Sequence, residues 1–309
     1  MSQPVGNRII VGLLAGVGAA LLWGIWPTIS RFSVQSNLSP YDIVFIRFSV
    51  SGLLLLPVFL KYRLKDIHLG AALLLMSGAG APYVIITVIG LQYTPAGHGG
   101  LVVPSFNIIF STIGAALLLG THPSYTRLLG LALILLGVAT IFAQGLAQTN
   151  TSQLYGDLLY VLGGFVYAIY TVSSQKFRVG AWHAASIVAV FSAVLYVPIY
   201  LLFLPHSLTR APVEELALQA LFQGVVTSIL AIFLFSSAIA RLGAARAVVF
   251  LALMPVFTLL SGIPILAEWP TEMEWLALGI IVVGTLVAVE VVKRPLLPAF
   301  RRKPTTYPQ

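Results

Sequence analysis

The chain is written twice. Leu13 to Phe32 (LLAGVGAALLWGIWPTISRF) lies over Leu158 to Phe177 (LLYVLGGFVYAIYTVSSQKF) without a gap, with Leu13/Leu158, Leu14/Leu159, Gly18/Gly163 and Phe32/Phe177 identical and Arg31/Lys176 both basic. Tyr93 to Thr140 lies over Ala240 to Val287 in the same way, and there Val102/Val249, Phe110/Phe257, Pro123/Pro270, Leu129/Leu276, Leu131/Leu278 and Gly137/Gly284 coincide. A duplication on this scale requires two structurally related units, because each copy carries the same pattern of apolar positions.

What kind of unit is set by how little charge there is. Of 309 residues, 59% are hydrophobic and only 8% charged, with a mean hydropathy of +0.98. A soluble domain carries about 25% charged residues, so this surface suits lipid rather than water. The absence of cysteine removes disulfides, thiolate chemistry and Cys-ligated zinc. A net charge of +8 raises the question of nucleic acid, but the basic residues sit in short loops between apolar runs and in the tail, so no nucleic-acid partner is expected. The stretch after Arg8 has the look of a signal peptide, yet it runs on through Trp23 to Ile29 and belongs to the repeat, so it reads as a retained membrane helix.

A bilayer core takes about 20 apolar residues as a helix. Such runs fall at 9–31, 41–60, 67–91, 97–118, 126–144, 155–176, 182–204, 215–239, 245–265 and 274–292. The expected fold is an all-α membrane protein of ten transmembrane helices, five per copy. Residues 1–146 form the first repeat, 147–295 the second, and 296–309 a basic cytoplasmic tail. The segment from Lys293 to Gln309, with KRP and RRKP, reads as a polybasic anchor on anionic lipid.

Lys and Arg set the direction. With the N-terminus in the cytoplasm, the inside loops hold Lys61, Arg63, Lys65, Arg127, Lys176, Arg178, Arg241 and Arg246 besides Arg8 and the tail, against only Arg31 and Arg210 outside. Both termini are therefore expected in the cytoplasm. Glu214, Glu215, Glu268, Glu272 and Glu274 fall outside. An odd number of spans per copy starts the second copy from the opposite side, so the repeats are inverted. Inverted repeats have two packings of similar energy, each open to one side, which is the architecture of an alternating-access transporter. Gly12, Gly16, Gly18, Gly78 and Gly80 permit close helix approach. Among the prolines inside spans, Pro27, Pro104 and Pro255 are the expected hinges, the last two in corresponding spans.

The stretch LWGIWPTISRF at 22–32 resembles the first helix of the drug/metabolite transporter superfamily, in its ten-helix EamA-type branch. Residues 91–141, closing on LLGLALILLGV, resemble that family's fourth and fifth helices, and 236–289 matches again. The resemblance implies export or exchange of small metabolites, often amino acids, across the bacterial inner (plasma) membrane. One departure stands out: the family usually has an acidic residue after the glycine that ends the fourth helix. Here Gly120 is followed by Thr121 and His122, while the second copy keeps Glu268 after Ala267.

A transport site lies near mid-membrane between the repeats, lined by the polar and aromatic groups at that depth. The expected substrate-binding set is Trp23, Tyr83, His98, Asn107, Tyr167, Tyr170, Gln223, Phe250 and Met254, with Trp26, Thr227 and Ser228 as weaker members. Trp near a span end also serves as an interface anchor, Ser and Thr as backbone acceptors' partners within their own helix, and Asn107 and Gln223 as clasps between helices. Arg47 can meet a substrate carboxylate, but from about seven residues inside its span it can also reach the interface, and that reading is preferred. No acid lies at the centre of any span: Asp157 is near a start, Glu290 near an end, Glu268 at an outer mouth.

An aromatic cavity with amide and hydroxyl groups and no fixed charge fits a zwitterion with an apolar body. The expectation is export of apolar or aromatic amino acids with little or no ion coupling, by a monomer whose partners are the small-molecule substrate and membrane lipid. The alternative is a polyspecific drug or metabolite exporter driven by protons through His98 or Asp157. Enzyme chemistry is not expected, because the five histidines (His68, His98, His122, His183 and His206) are scattered and no paired catalytic motif, metal site or cofactor motif is present.

Overall fold

The computed structural model describes residues 5–147 and 149–290, so the basic tail and its positive charges lie outside the described residues. Among the described residues every regular element is helical. The helices are α1 (Val5–Gln35), α2 (Pro40–Tyr62), α3 (Leu69–Tyr93), α4 (Ala96–Leu119), α5 (Tyr125–Ala147), α6 (Thr151–Lys176), α7 (Ala181–Phe203), α8 (Val213–Leu242), α9 (Val248–Leu266) and α10 (Glu272–Ala288). The first nine are long and apolar enough to cross a membrane. The last has 17 residues, about 26 Å of helix.

Local chemistry explains where these helices start. Ser39 and Asp42 cap each other's backbone at the head of α2, at 3.2 and 2.8 Å, with Pro40 in the first turn. Thr271 and Glu274 do the same for α10, at 3.2 and 2.7 Å. Two helices end in the left-handed region at corresponding positions of the repeat: Gly120 (φ +66°) after α4 and Ala267 (φ +54°) after α9. Only the first of these is the residue that conformation favours.

Three of the long helices are irregular. α3 breaks at Gly80 and restarts at Ala81, whose N–H donates to Ser192 Oγ on α7 at 3.1 Å. α8 is π-helical over Ala220–Leu230. α9 begins as a 3-10 turn over Val248–Leu253 and becomes α-helical at Met254, so Pro255 sits in the first turn after the change. Pro27 and Pro104 lie within α1 and α4.

Packing follows the duplication. α1 packs on α8 and α9, as α6 packs on α3 and α4; α2 packs on α8 as α7 packs on α3; and α2–α7, α4–α9 and α5–α10 pair across the halves. Exchanging the two halves leaves this pattern unchanged. The glycines make it possible: a Cβ on Gly78 of α3 would fall 2.3 Å from the Tyr170 nitrogen of α6, and one on Gly24 of α1 would fall 2.8 Å from the Met254 carbonyl of α9. The outside of the bundle carries bare apolar side chains such as Leu53, Leu117, Val194, Leu202 and Phe203, which is a surface for lipid.

Candidate functional site

A cavity of about 50 Å³ lies between the halves, and Trp23, Trp26 and Pro27 of α1 form one wall. Tyr83 and Thr87 of α3 and Gly99, Gly100, Val103 and Pro104 of α4 face it, and Tyr160 of α6 with Met254 and Thr258 of α9 close it from the second half. The irregular segments explain why there is space here: the cavity sits where α3 has just restarted and where α9 changes from 3-10 to α. A roomier cleft of about 230 Å³ at the far loops is lined by Thr121, His122, Arg127 and Glu290. It opens at the loop end of the bundle, away from the aromatic groups, and is not the candidate site.

Of the residues expected in the site, Trp23, Tyr83 and Met254 line the cavity, together with Trp26, Pro27 and Pro104. Tyr167 stands behind Tyr83, ring centres 4.8 Å apart, and Tyr170 behind Tyr167 at 5.5 Å. Asn107 is held by Thr171, whose hydroxyl donates to its carbonyl oxygen at 3.0 Å, a clasp between α4 and α6. Gln223 is fully buried and saturated: its amide NH2 donates to Ser30 Oγ at 2.9 Å and Gln219 Oε1 at 3.0 Å. Its oxygen accepts from Trp26 Nε1 at 2.7 Å and from Arg47 at 3.0 Å. Phe250 packs over Gly16 of α1 and does not reach the cavity wall. Thr227 and Ser228 do bond back to their own helix, both to the Gln223 carbonyl, at 3.0 and 2.8 Å.

Two expectations are corrected. Arg47 does not run to the interface. Its Nη1 donates to Gln223 Oε1 and Thr227 Oγ1, both at 3.0 Å, and its guanidinium lies 5.7 Å from the Trp26 ring. The reason is local: Gly224 lets Val50 close onto α8, bringing α2 near enough for the side chain to turn inward. The site therefore has a fixed positive charge beside it.

The second correction concerns His98, expected among the substrate-binding residues. Asp157, near the start of α6, and Glu274, in the first turn of α10, converge on it. Its Nδ1 is 2.8 Å from Asp157 Oδ1 and its Nε2 3.3 Å from Glu274 Oε1, all three side chains being buried. His98 is thus neither a headgroup neighbour nor a cavity wall. It joins α4, α6 and α10 at one end of the cavity, over Tyr160, whose ring lies against Gly99. Sequence spacing gave no signal for this, since the three residues belong to three helices.

Beside that cluster Arg31 of α1 pairs with Glu268, just past α9, and donates to the carbonyls of Leu91 and Thr94. Glu268 Oε2 also accepts from the Ala96 N–H at 3.0 Å, placing a carboxylate on the N-terminus of α4. These contacts tie α1, α3, α4 and the end of α9 together beside Leu91, a residue of the cavity wall. The acid that the first copy lacks at Thr121 is, in the second copy, half of this ion pair.

The EamA-like transporter family matches the sequence twice, over residues 10–143 and 154–289. The chain belongs to that family. It is 26% identical over 270 residues to an uncharacterized transporter of Archaeoglobus fulgidus, covering 86% of this chain and 94% of that protein. It is 26% identical over 274 residues to the uncharacterized inner membrane transporter YedA of Escherichia coli K12, covering 86% of this chain and 87% of YedA. A solved crystal structure at 19% identity superimposes with a TM-score of 0.61, covering 93% of this chain and 98% of the other. This transporter thus shares its fold over nearly its whole length with a known structure, and its family and relatives are transporters rather than enzymes.

Proposed function

We propose that this transporter is a multi-pass inner-membrane carrier that exports amino acids with apolar or aromatic side chains, or similar small metabolites, by alternating access. In this reading it has ten spans in two inverted repeats, 1–146 and 147–295, both termini lie in the cytoplasm, and a monomer is sufficient. The observation that carries the reading is the cavity itself. It lies between elements of both halves and is walled by Trp23, Trp26 and Tyr83, and the Arg31–Glu268 pair beside it is read as closing one end. A packing pattern that survives exchange of the halves supports a second state in which the opposite end closes.

The test is counterflow of a labelled amino-acid panel into proteoliposomes at equal pH on both sides. Uptake of an aromatic or branched member above empty liposomes supports the assignment. Movement of other metabolites but of no amino acid sinks the substrate claim.

A second reading has a specific observation behind it: His98 lies between two buried carboxylates next to the cavity. An imidazole donates through both nitrogens only when doubly protonated, so a proton lost from it would turn an acceptor toward a carboxylate and loosen the junction of α4, α6 and α10. Proton-linked transport would use that step. A pH gradient imposed without a membrane potential separates the readings, since only proton-linked transport accumulates substrate above equilibrium.

A further inference from the structure

We infer that Arg47 is the anion-binding group of the transport site and holds the substrate's carboxylate on the edge formed by its Nε–H and Nη2–H groups. The inference rests on the cavity being the transport site, and it specifies which chemical group the substrate must carry.

The geometry assigns the two edges of the guanidinium different tasks. Nη1 is fully engaged by Gln223 Oε1 and Thr227 Oγ1 of the π-helical stretch. Gln223 cannot turn away to release it, because the same oxygen accepts from Trp26 and the amide NH2 is tied to Ser30 and Gln219. The guanidinium is therefore oriented, and the Trp26 and Phe48 rings lie 5.7 and 5.9 Å from it. Nε is buried and makes no hydrogen bond. An oriented guanidinium with its Nε/Nη2 edge unused presents two parallel N–H donors, the arrangement that matches the two oxygens of one carboxylate.

Charge leads to the same conclusion. The ion pairs among the described residues are Arg31 with Glu268 and His98 with Asp157 and Glu274, and none involves Arg47. The nearest acid in sequence, Asp42, is occupied by Ser39, Tyr200 and the Ser207 N–H. Arg47 stands about 10 Å along α2 from its start, at a depth where an uncompensated charge is costly. An anionic substrate removes that cost on arrival. One cation compensates one negative charge, which fits a carboxylate better than a phosphate dianion. Arg47 is not itself in the cavity lining, but Trp26 both lines the cavity and lies against the guanidinium, so a carboxylate that reaches past Trp26 to this edge leaves its apolar body among Trp23, Trp26 and Tyr83.

The test uses the full chain in lipid nanodiscs and compares phenylacetate with phenylacetamide, which share shape and differ in charge. Binding is read from tryptophan fluorescence and repeated with inorganic phosphate. The wild type is expected to hold phenylacetate roughly tenfold tighter than the amide, the size of one charge-assisted pair. Arg47→Gln is expected to abolish that preference, and Arg47→Lys to keep only part of it. Equal binding of acid and amide, no binding of either, phosphate binding tighter than phenylacetate, or an unchanged preference in Arg47→Gln each overturns the inference. If Arg47→Gln does not fold, the wild-type and Arg47→Lys comparisons still decide it. Amino-acid counterflow that fails while the acid preference persists removes the amino-acid assignment and leaves Arg47 in place.

Discussion

His98 and Asp157, 59 positions apart, meet at 2.8 Å where α4 crosses α6, and Glu274 approaches the other nitrogen of the same imidazole. Charged groups buried together hold one another in place. The cluster fixes the heads of three helices, and Asp157 Oδ2 makes no hydrogen bond of its own, so His98 is that carboxylate's main partner.

Removing one member should therefore cost more than an exposed pair would. Asp157→Asn and His98→Gln are each expected to lower thermal stability, by about 3–5 kcal/mol for a buried pair broken on one side. The double variant should lose less than the sum, because the second change removes a charge already stranded. Thermal unfolding of the four proteins in one detergent measures this. Strict additivity would show that the two residues do not act as a pair.

Much of the fold was legible in the sequence, because apolar run length and repetition are the quantities a bilayer selects. Nine of the ten runs return as helices long enough to span, and each of the glycines named for close packing touches a neighbouring helix. The site was legible only where one helix decides. Trp23 and Tyr83 line the cavity by virtue of depth and face, which counting along a span gives. The destination of a long side chain is a different matter. Arg47 reaches inward because Gly224 admits Val50, a contact between α2 and α8 that no spacing within α2 reveals. Asp157 and Glu274 looked peripheral for the same reason: each is close to the end of its own helix, and only their joint packing on α4 buries them.

Ala267 ends α9 with φ +54°, at the position the first copy gives to Gly120. A side chain there costs about 1 kcal/mol relative to a residue free of Cβ. Ala267→Gly should raise the thermal midpoint slightly and leave counterflow intact, since Ala267 is not among the residues that line the cavity. A lowered midpoint would mean that the Ala267 methyl contributes packing worth more than the strain.

Gly78 and Gly279 provide a matched pair for the packing argument. A Cβ on Gly78 would meet the backbone of Tyr170, whereas one on Gly279 meets nothing within 4 Å. Gly78→Ala must push α3 from α6 and is expected to lose about 1–3 kcal/mol, as overpacked cores do. Gly279→Ala should be neutral or slightly stabilising, because alanine favours helix. Equal effects would place the close approach of α3 and α6 elsewhere.

In the proposed function Arg31 and Glu268 close the cavity at one end, and the absence of cysteine makes that closure directly measurable. Thr87 lines the cavity behind that seal, so Thr87→Cys introduces a single reporter. In the otherwise unchanged chain, a membrane-impermeant thiol reagent added from the Arg31 side should label it slowly. Glu268→Gln keeps the size of the side chain and removes the charge that binds Arg31 and tightens on the head of α4. If the pair contributes about 1–1.4 kcal/mol to the closed end, labelling should accelerate roughly fivefold to tenfold. Arg31→Gln should do the same, and the two changes together should add little, because either one alone dissolves the same pair. Labelling that is fast from this side before any substitution would mean that Arg31 and Glu268 do not close the cavity. Labelling faster from the opposite side after Glu268→Gln would reverse the assignment of which end they seal.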